Sequence, residues 1–136
     1  MEGIIVYTDG GARGNPGPAA IGVYIIDQDG KQVIKFGKKI GETTNNVAEY
    51  KAVYNALDWI KNNLKNNIRN INFLLDSKLV VNQLNGIFKI KNKNLGRLIM
   101  DIHLLEKEIG VKIFYNYIPR EKNFLADSLV NSSLDK

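Results

Sequence analysis

A glutamate stands on the apolar stripe of the longest amphipathic segment in this chain. Read at helical period, Asn45 to Leu64 puts Val53, Ala56, Leu57, Ile60 and Leu64 on one face, with Glu49 four residues before Val53 on that same face. A carboxylate aimed at a core is costly without a partner, so the fold must bring something to it. Three more acids sit at structural transitions: Asp9 after the apolar run IIVYT, Asp76 after INFLL, and Asp127 on the inner side of a C-terminal helix in NFLAD. Taken singly, an Asp after a strand is more often a turn former or a cap than a ligand. Gathered by one fold, the four could not all stay ionised unless protons or cations compensated them. Oxygen-only sites favour hard cations, and Mg2+ is the usual choice when substrate phosphates complete its shell. The cluster therefore predicts phosphodiester chemistry.

The charge distribution points the same way. The net charge is +5, and Ser77 to Met100 carries Lys78, Lys89, Lys91, Lys93 and Arg97 with no acid, which leaves the rest of the chain formally neutral. A local basic excess of this kind suits a polyanion, since neutralising phosphates releases counterions. The absence of cysteine excludes disulfides, zinc-thiolate sites and thiol nucleophiles. The 136 residues suit one domain, 1–136, and the opening MEGIIVYTDGG holds an apolar run too short for a signal peptide or a spanning helix. A cytoplasmic monomer with no membrane partner is the expectation.

Along the chain, Ile4 to Thr8 reads as a strand followed by a Gly- and Pro-rich loop, DGGARGNPGP. Ala20 to Asp27 and Gln32 to Ile40 read as two more strands, with Asp29-Gly30 as their hairpin turn. Thr43 to Asn46 supplies capping side chains for the long helix. A fourth strand spans Ile71 to Leu75, and a short helix spans Ser77 to Asn85. A helix from about Leu95 to Ile109 precedes a fifth strand at Val111 to Tyr117, and a last helix ends at Leu134. The order βββαβααβα predicts an α/β fold with a five-stranded mixed sheet flanked by helices, its parallel pairs falling where a helix separates the strands. Sites in such sheets form at the carboxyl ends of strands near a switch in strand order.

TDGGARGNPGPAAIGVYI, TTNNVAEYKAVYNAL, LLDSKLVVNQL and IPREKNFLADSL together resemble, in order and spacing, the four acidic motifs of type 1 ribonuclease H. The resemblance runs from about Ile4 to Leu134. It implies a ribonuclease H-like fold and hydrolysis of the RNA strand of RNA/DNA hybrids by two divalent ions, Mg2+ with Mn2+ as a substitute, leaving 5′-phosphate and 3′-hydroxyl ends. It maps the family's catalytic, metal-binding acids onto Asp9, Glu49, Asp76 and Asp127. Asp9 would bridge the ions, Asp76 and Asp127 would serve the nucleophile side, and Glu49 the leaving-group side. Substrate contacts map onto Gly10, Gly11, Asn15, Asn45, Asn46 and Gln83, suited to reading a 2′-hydroxyl in the minor groove, with Thr44 on a DNA phosphate. Double-stranded RNA, which has related A-form geometry, stands as an alternative substrate, and an inactive hybrid-binding module as an alternative role.

Two departures from the family pattern stand out. Many members carry a His in a loop before the last acid, whereas this chain has IPREKN, with Arg120 at roughly that place. Such short loops resemble archaeal and some bacterial members. An Arg stays protonated and could hold a phosphate or product without shuttling a proton. The sole histidine, His103, reads as a structural or surface residue of a helix. The second departure is GIFKIKNKNLG where many members insert a basic helix, so Lys89, Lys91 and Lys93 are expected to dock phosphates in its stead.

Overall fold

The computed structural model describes residues 2–64, 66–86 and 93–136. The chain forms β1 (Gly3–Ala12), β2 (Gly17–Asp27), β3 (Gln32–Thr43), α1 (Asn45–Leu64), β4 (Asn70–Leu75), α2 (Lys78–Leu84), α3 (Lys93–Ile109), β5 (Lys112–Tyr117) and α4 (Phe124–Leu134), with a 3₁₀ turn at Arg120–Lys122 before α4. The five strands make one sheet in the order β3-β2-β1-β4-β5. β2 runs antiparallel to both β1 and β3, while β4 is parallel to both β1 and β5. The parallel pairs are those separated by helices, as the element order requires. Among the described residues no helix is long and apolar enough to cross a membrane.

The core lies between the sheet and α1, α2 and α3. Val53, Ala56, Leu57, Ile60 and Leu64 of α1 are buried there against Ile4, Val6, Val23, Ile25 and Phe73 of the strands. Ile99, Ile102, Leu105 and Ile109 of α3 extend this layer, and Trp59 packs at its edge. Tyr115 of β5 stacks on Phe73 with ring centroids 5.1 Å apart and donates its hydroxyl to Glu106. His103 is half-exposed on α3 and hydrogen-bonded to Glu106 at 2.8 Å, a surface residue as expected. Helix α4 covers the other face of β1, β2 and β3, burying Ala126, Val130 and Ser133.

The first strand differs from its expected bounds. It does not stop at Thr8 but continues through Ala12, pairing Asp9 with Gly22 and Ala12 with Ala19. Gly10 and Gly11, read as part of a turn, are strand residues, and at Gly10 other backbone approaches closely, the second meaning of glycine in a strand. β2 and β3 lengthen with it, to Gly17 and Thr43. Asp9 therefore lies within β1, past the point where its pairing with β4 ends at Tyr7 and Leu74.

Gly22 governs how closely α4 can sit on the sheet. A Cβ there would lie 2.2 Å from the Ala126 carbonyl oxygen, a backbone atom that cannot swing aside. Gly22→Ala should push α4 off β2 at a cost of about 1–3 kcal/mol, read as a lower urea midpoint with an unchanged slope. An unaltered midpoint would mean that the helix does not depend on this contact.

Candidate active site

Asp9 and Asp76 come together through strand register. Tyr7 and Leu74 are the last parallel pair between β1 and β4, and Asp9 and Asp76 each follow two residues later, so both carboxylates emerge at the same end of the paired strands. β4 stops at Leu75 while β1 runs on, so both carboxylates stand at the switch in strand order where β1's parallel partner ends. Ser77 caps α2, its Oγ accepting from Val80 N at 3.3 Å, and so turns the chain away just after Asp76.

Glu49 arrives from α1. Thr44 is the capping residue, with Oγ1 accepting from Val47 N at 3.2 Å, which makes Asn46 the second helical residue and not a cap. The first turn of α1 seats directly on β1 because Gly10 has no side chain: a Cβ there would lie 2.2 Å from the Ala48 carbonyl oxygen. Glu49, next to Ala48, is thereby delivered to the acids on the strands. Asp9, Glu49 and Asp76 each offer an oxygen within 4.8 Å of the others. These three carboxylates could hold a metal, and as an all-oxygen donor set they suit a hard divalent cation.

Asp127 joins from α4 on a looser footing. It lies near enough to Asp9 to raise that residue's proton affinity, and its Oδ1 lies 3.8 Å from Arg120. Asn131, one turn later, donates to its other oxygen at 3.4 Å. The four acids share an open cleft of about 490 Å³, whose walls include Gly10, Gly11, Asn45, Arg13 and Arg120.

The crowding shows in the proton affinities. Burial, then the charges of Asp76, Asp127 and Glu49, push Asp9 from 3.8 up to about 8. Burial pushes Glu49 up to about 7, with the Ser77 hydroxyl and Arg120 pulling it down and Asp76 pushing it further up. Asp76 is raised by burial too, against an opposing hydrogen bond from Asn123 and the charge of Arg120.

Asn123 went unread as a site residue in the sequence. It is buried, and its Nδ2 donates both to the Thr8 carbonyl oxygen at 2.9 Å and to Asp76 Oδ2 at 3.2 Å. Its backbone carbonyl oxygen, as the cap of α4, accepts from Asp127 N at 3.1 Å. One side chain thus ties β1, Asp76 and the start of α4 together. The sequence signal was its place four residues before Asp127 at a helix start, a position that usually speaks only of capping.

The expected substrate residues divide by position. Gly10, Gly11, Asn45 and Arg120 line the cleft. Asn15 Oδ1 accepts from Asn45 N at 3.0 Å, and Asn45 Oδ1 accepts from Ala12 N at 2.8 Å, so the loop, the helix start and β1 are laced together. Asn15, Thr44, Asn46, Gln83 and Lys93 lie outside the cleft walls; Gln83 Oε1 is buried on α2 without a hydrogen-bond partner among the described residues, and Lys93 is exposed at the start of α3. Lys89 and Lys91 fall outside the described residues.

A carboxyl that holds its proton more tightly when folded favours the folded state fully below its unfolded value and loses that advantage as pH rises through its folded value. In EDTA, the cluster should therefore destabilise the protein as pH climbs from about 4 to about 8. Asp9→Asn should raise the midpoint of thermal unfolding at pH 8 by at least about 5 °C, with the gain vanishing near pH 4. A variant no more stable than the parent at pH 8 would show that Asp9 is not strained by its neighbours.

A family model described as reverse transcriptase-like matches residues 7–133. The crystal structure of LC11-RNase H1, isolated from compost by a metagenomic approach, superposes with a TM-score of 0.91 at 44% identity, covering 99% of this chain and 97% of that one. LC11-RNase H1 has also been crystallised in complex with RNA/DNA hybrid. RNase H1 from the archaeon Halobacterium salinarum superposes with a TM-score of 0.90 at 35% identity, covering 98% of each chain. A ribonuclease H of Ruthia magnifica is 30% identical, over all of this chain and 98% of its own length. A bifunctional protein of Mycobacterium tuberculosis is 38% identical over 97% of this chain, which spans only 35% of that relative's length. With its four acidic motifs, its sheet order and these likenesses, the chain belongs to the type 1 ribonuclease H family.

Proposed function

We propose that this chain is a metal-dependent endoribonuclease that hydrolyses the RNA strand of RNA/DNA hybrids, with residues 1–136 acting as one catalytic domain and as a monomer. The observation that carries the reading is the trio Asp9, Glu49 and Asp76, whose oxygens lie within 4.8 Å of one another in an open cleft. The hybrid complex of LC11-RNase H1, 44% identical to this chain, supports the same substrate. We expect Mg2+, with Mn2+ substituting, because the donors are carboxylate oxygens and substrate phosphate would complete a hard-cation shell. When bound, two such ions would supply an activated water and steady the departing 3′ oxygen, leaving 5′-phosphate and 3′-hydroxyl ends.

The chain's own residues then have separable tasks. Asp9, Glu49 and Asp76 would hold the cations, with Asp127 at the edge of the group, and Asp9 and Glu49 would have to be ionised to serve as ligands. Asn15 and Asn45 have their carboxamide oxygens engaged by backbone N–H groups, which orients the two side chains and leaves their NH2 groups to meet a ribose 2′-hydroxyl. Gly11 lets a sugar come close to the backbone, and Gly10, whose bare side is taken up by α1, is left to meet it through its main chain. Arg120 steadies a phosphate or a departing product, and its permanent charge keeps it out of proton transfer. Thr44, Asn46, Gln83 and Lys93 flank the cleft as contacts for a longer duplex, and Lys89 and Lys91 keep their phosphate-docking role as a reading of charge alone.

The test is cleavage of an end-labelled RNA strand offered as RNA/DNA hybrid, RNA duplex or single strand. Hybrid should be cut with Mg2+ or Mn2+ and left whole in EDTA, and Asp76→Asn should slow cutting by more than about a hundredfold, beyond the cost of losing an outer-shell contact. Cutting of the RNA duplex as well would widen the substrate class. Binding with no cutting in either metal would contradict the reading and leave a binding module.

A further inference from the structure

One charged residue of the cleft has no part in the chemistry above. Arg13 follows the end of β1, and its side chain lines the same cleft as Asp9. Alternation along β1 puts Asp9 and Gly11 on one side, and Arg13, just past the end of the strand, lines the same cleft. Arg13 lies at most about 13 Å from Asp9 along the strand, a distance of a few nucleotides along a nucleic-acid strand.

The backbone at Arg13 is well held. Its N–H donates to the Pro18 carbonyl oxygen at 2.8 Å, closing the loop, and Asn15 in the same loop is hydrogen-bonded to the start of α1. The guanidinium is half-exposed and pairs with Asp135 at 2.6 Å, an acid that is itself 64% exposed. An ion pair between two such exposed groups is worth little and is readily exchanged. Asp135 is also the C-cap of α4, where the helix dipole disfavours an acid. Its position makes sense as a companion to Arg13. Among the described residues the cleft is lined by two cations, Arg13 and Arg120, and each is paired with an acid of α4 or its cap.

We infer that Arg13 is a phosphate-binding point for the nucleic-acid strand crossing the cleft, and that Asp135 occupies its guanidinium until a phosphate displaces it. A planar fork of donors suits a phosphate as well as it suits a carboxylate, so the exchange conserves the geometry of the contact. Gly11 adds no side chain of its own between the acids and Arg13, and Val130 of α4 forms the neighbouring wall. Asp135 in turn weakens the pull of the cleft on polyanions that fail to reach the guanidinium. This inference rests on the nuclease reading for the identity of the strand.

The test measures binding and cutting separately. Fluorescence anisotropy of a labelled RNA/DNA hybrid in EDTA, over a range of salt, would be run on the parent chain, Arg13→Ala, Arg13→Lys and Asp135→Asn, with cleavage in Mg2+ assayed in parallel. Arg13→Ala should weaken binding several-fold and lower the salt slope by about one, Arg13→Lys should restore the slope, and Asp135→Asn should tighten binding. An Arg13→Ala slope equal to the parent's, in a protein with unchanged thermal midpoint, would overturn the inference. So would an Asp135→Asn that binds no more tightly. If the parent cuts no hybrid yet its binding depends on Arg13, the phosphate site stands and the nuclease reading fails.

Discussion

Three carboxylates confined within 4.8 Å of one another set the terms for the rest of this fold. Two unit charges at that separation repel by roughly 3 kcal/mol at the effective dielectric of a protein surface. Such a repulsion is a sizeable part of the stability of a typical domain. The strain is met by protonation of Asp9 and Glu49, by the Asn123 hydrogen bond to Asp76, and by the nearby charge of Arg120. Protonation relieves the repulsion only below the raised values of Asp9 and Glu49, whereas a bound cation would relieve it with the carboxylates ionised.

The architecture around the cluster follows from the need to hold it. Parallel pairing puts Asp9 and Asp76 at the same end of the paired strands, the bare surface of Gly10 lets α1 bring Glu49 down onto β1, and the bare surface of Gly22 lets α4 bring Asp127 across. Asn123 ties two of these approaches through one buried carboxamide. The apolar layer of Val53, Leu57, Ile60, Phe73 and Ile102 supplies the stability against which a costly site can be kept.

Some of this was legible in the residues alone. Glu49 declared itself because a carboxylate on an apolar stripe has few explanations, and Asp76 because it closes an apolar run. The parallel or antiparallel sense of the strand pairs followed from the lengths of the connections between strands, whereas the order β3-β2-β1-β4-β5 rests on contacts far apart in the chain. The reach of β1 did not, because DGGARGNPGP has the composition of a loop, and only the approach of α1 makes glycine a requirement of the strand at Gly10. Asn123 stayed hidden for a related reason: its partner Thr8 is 115 residues away, and nothing local marks a cap residue whose side chain turns inward. Arg13 was visible only as one more loop cation until Asp135 and the shared cleft gave it a place.

The central claim is that the fold holds Asp9 among like charges that a divalent cation would relieve. A carboxyl-carbon NMR titration of the protein, with and without Mg2+, tests it at the atom concerned. Without metal Asp9 should titrate near 8, and saturating Mg2+ should move its titration down below the ordinary carboxylate range. An Asp9 that titrates near 3.8 in the absence of metal, and is indifferent to Mg2+, would contradict the account.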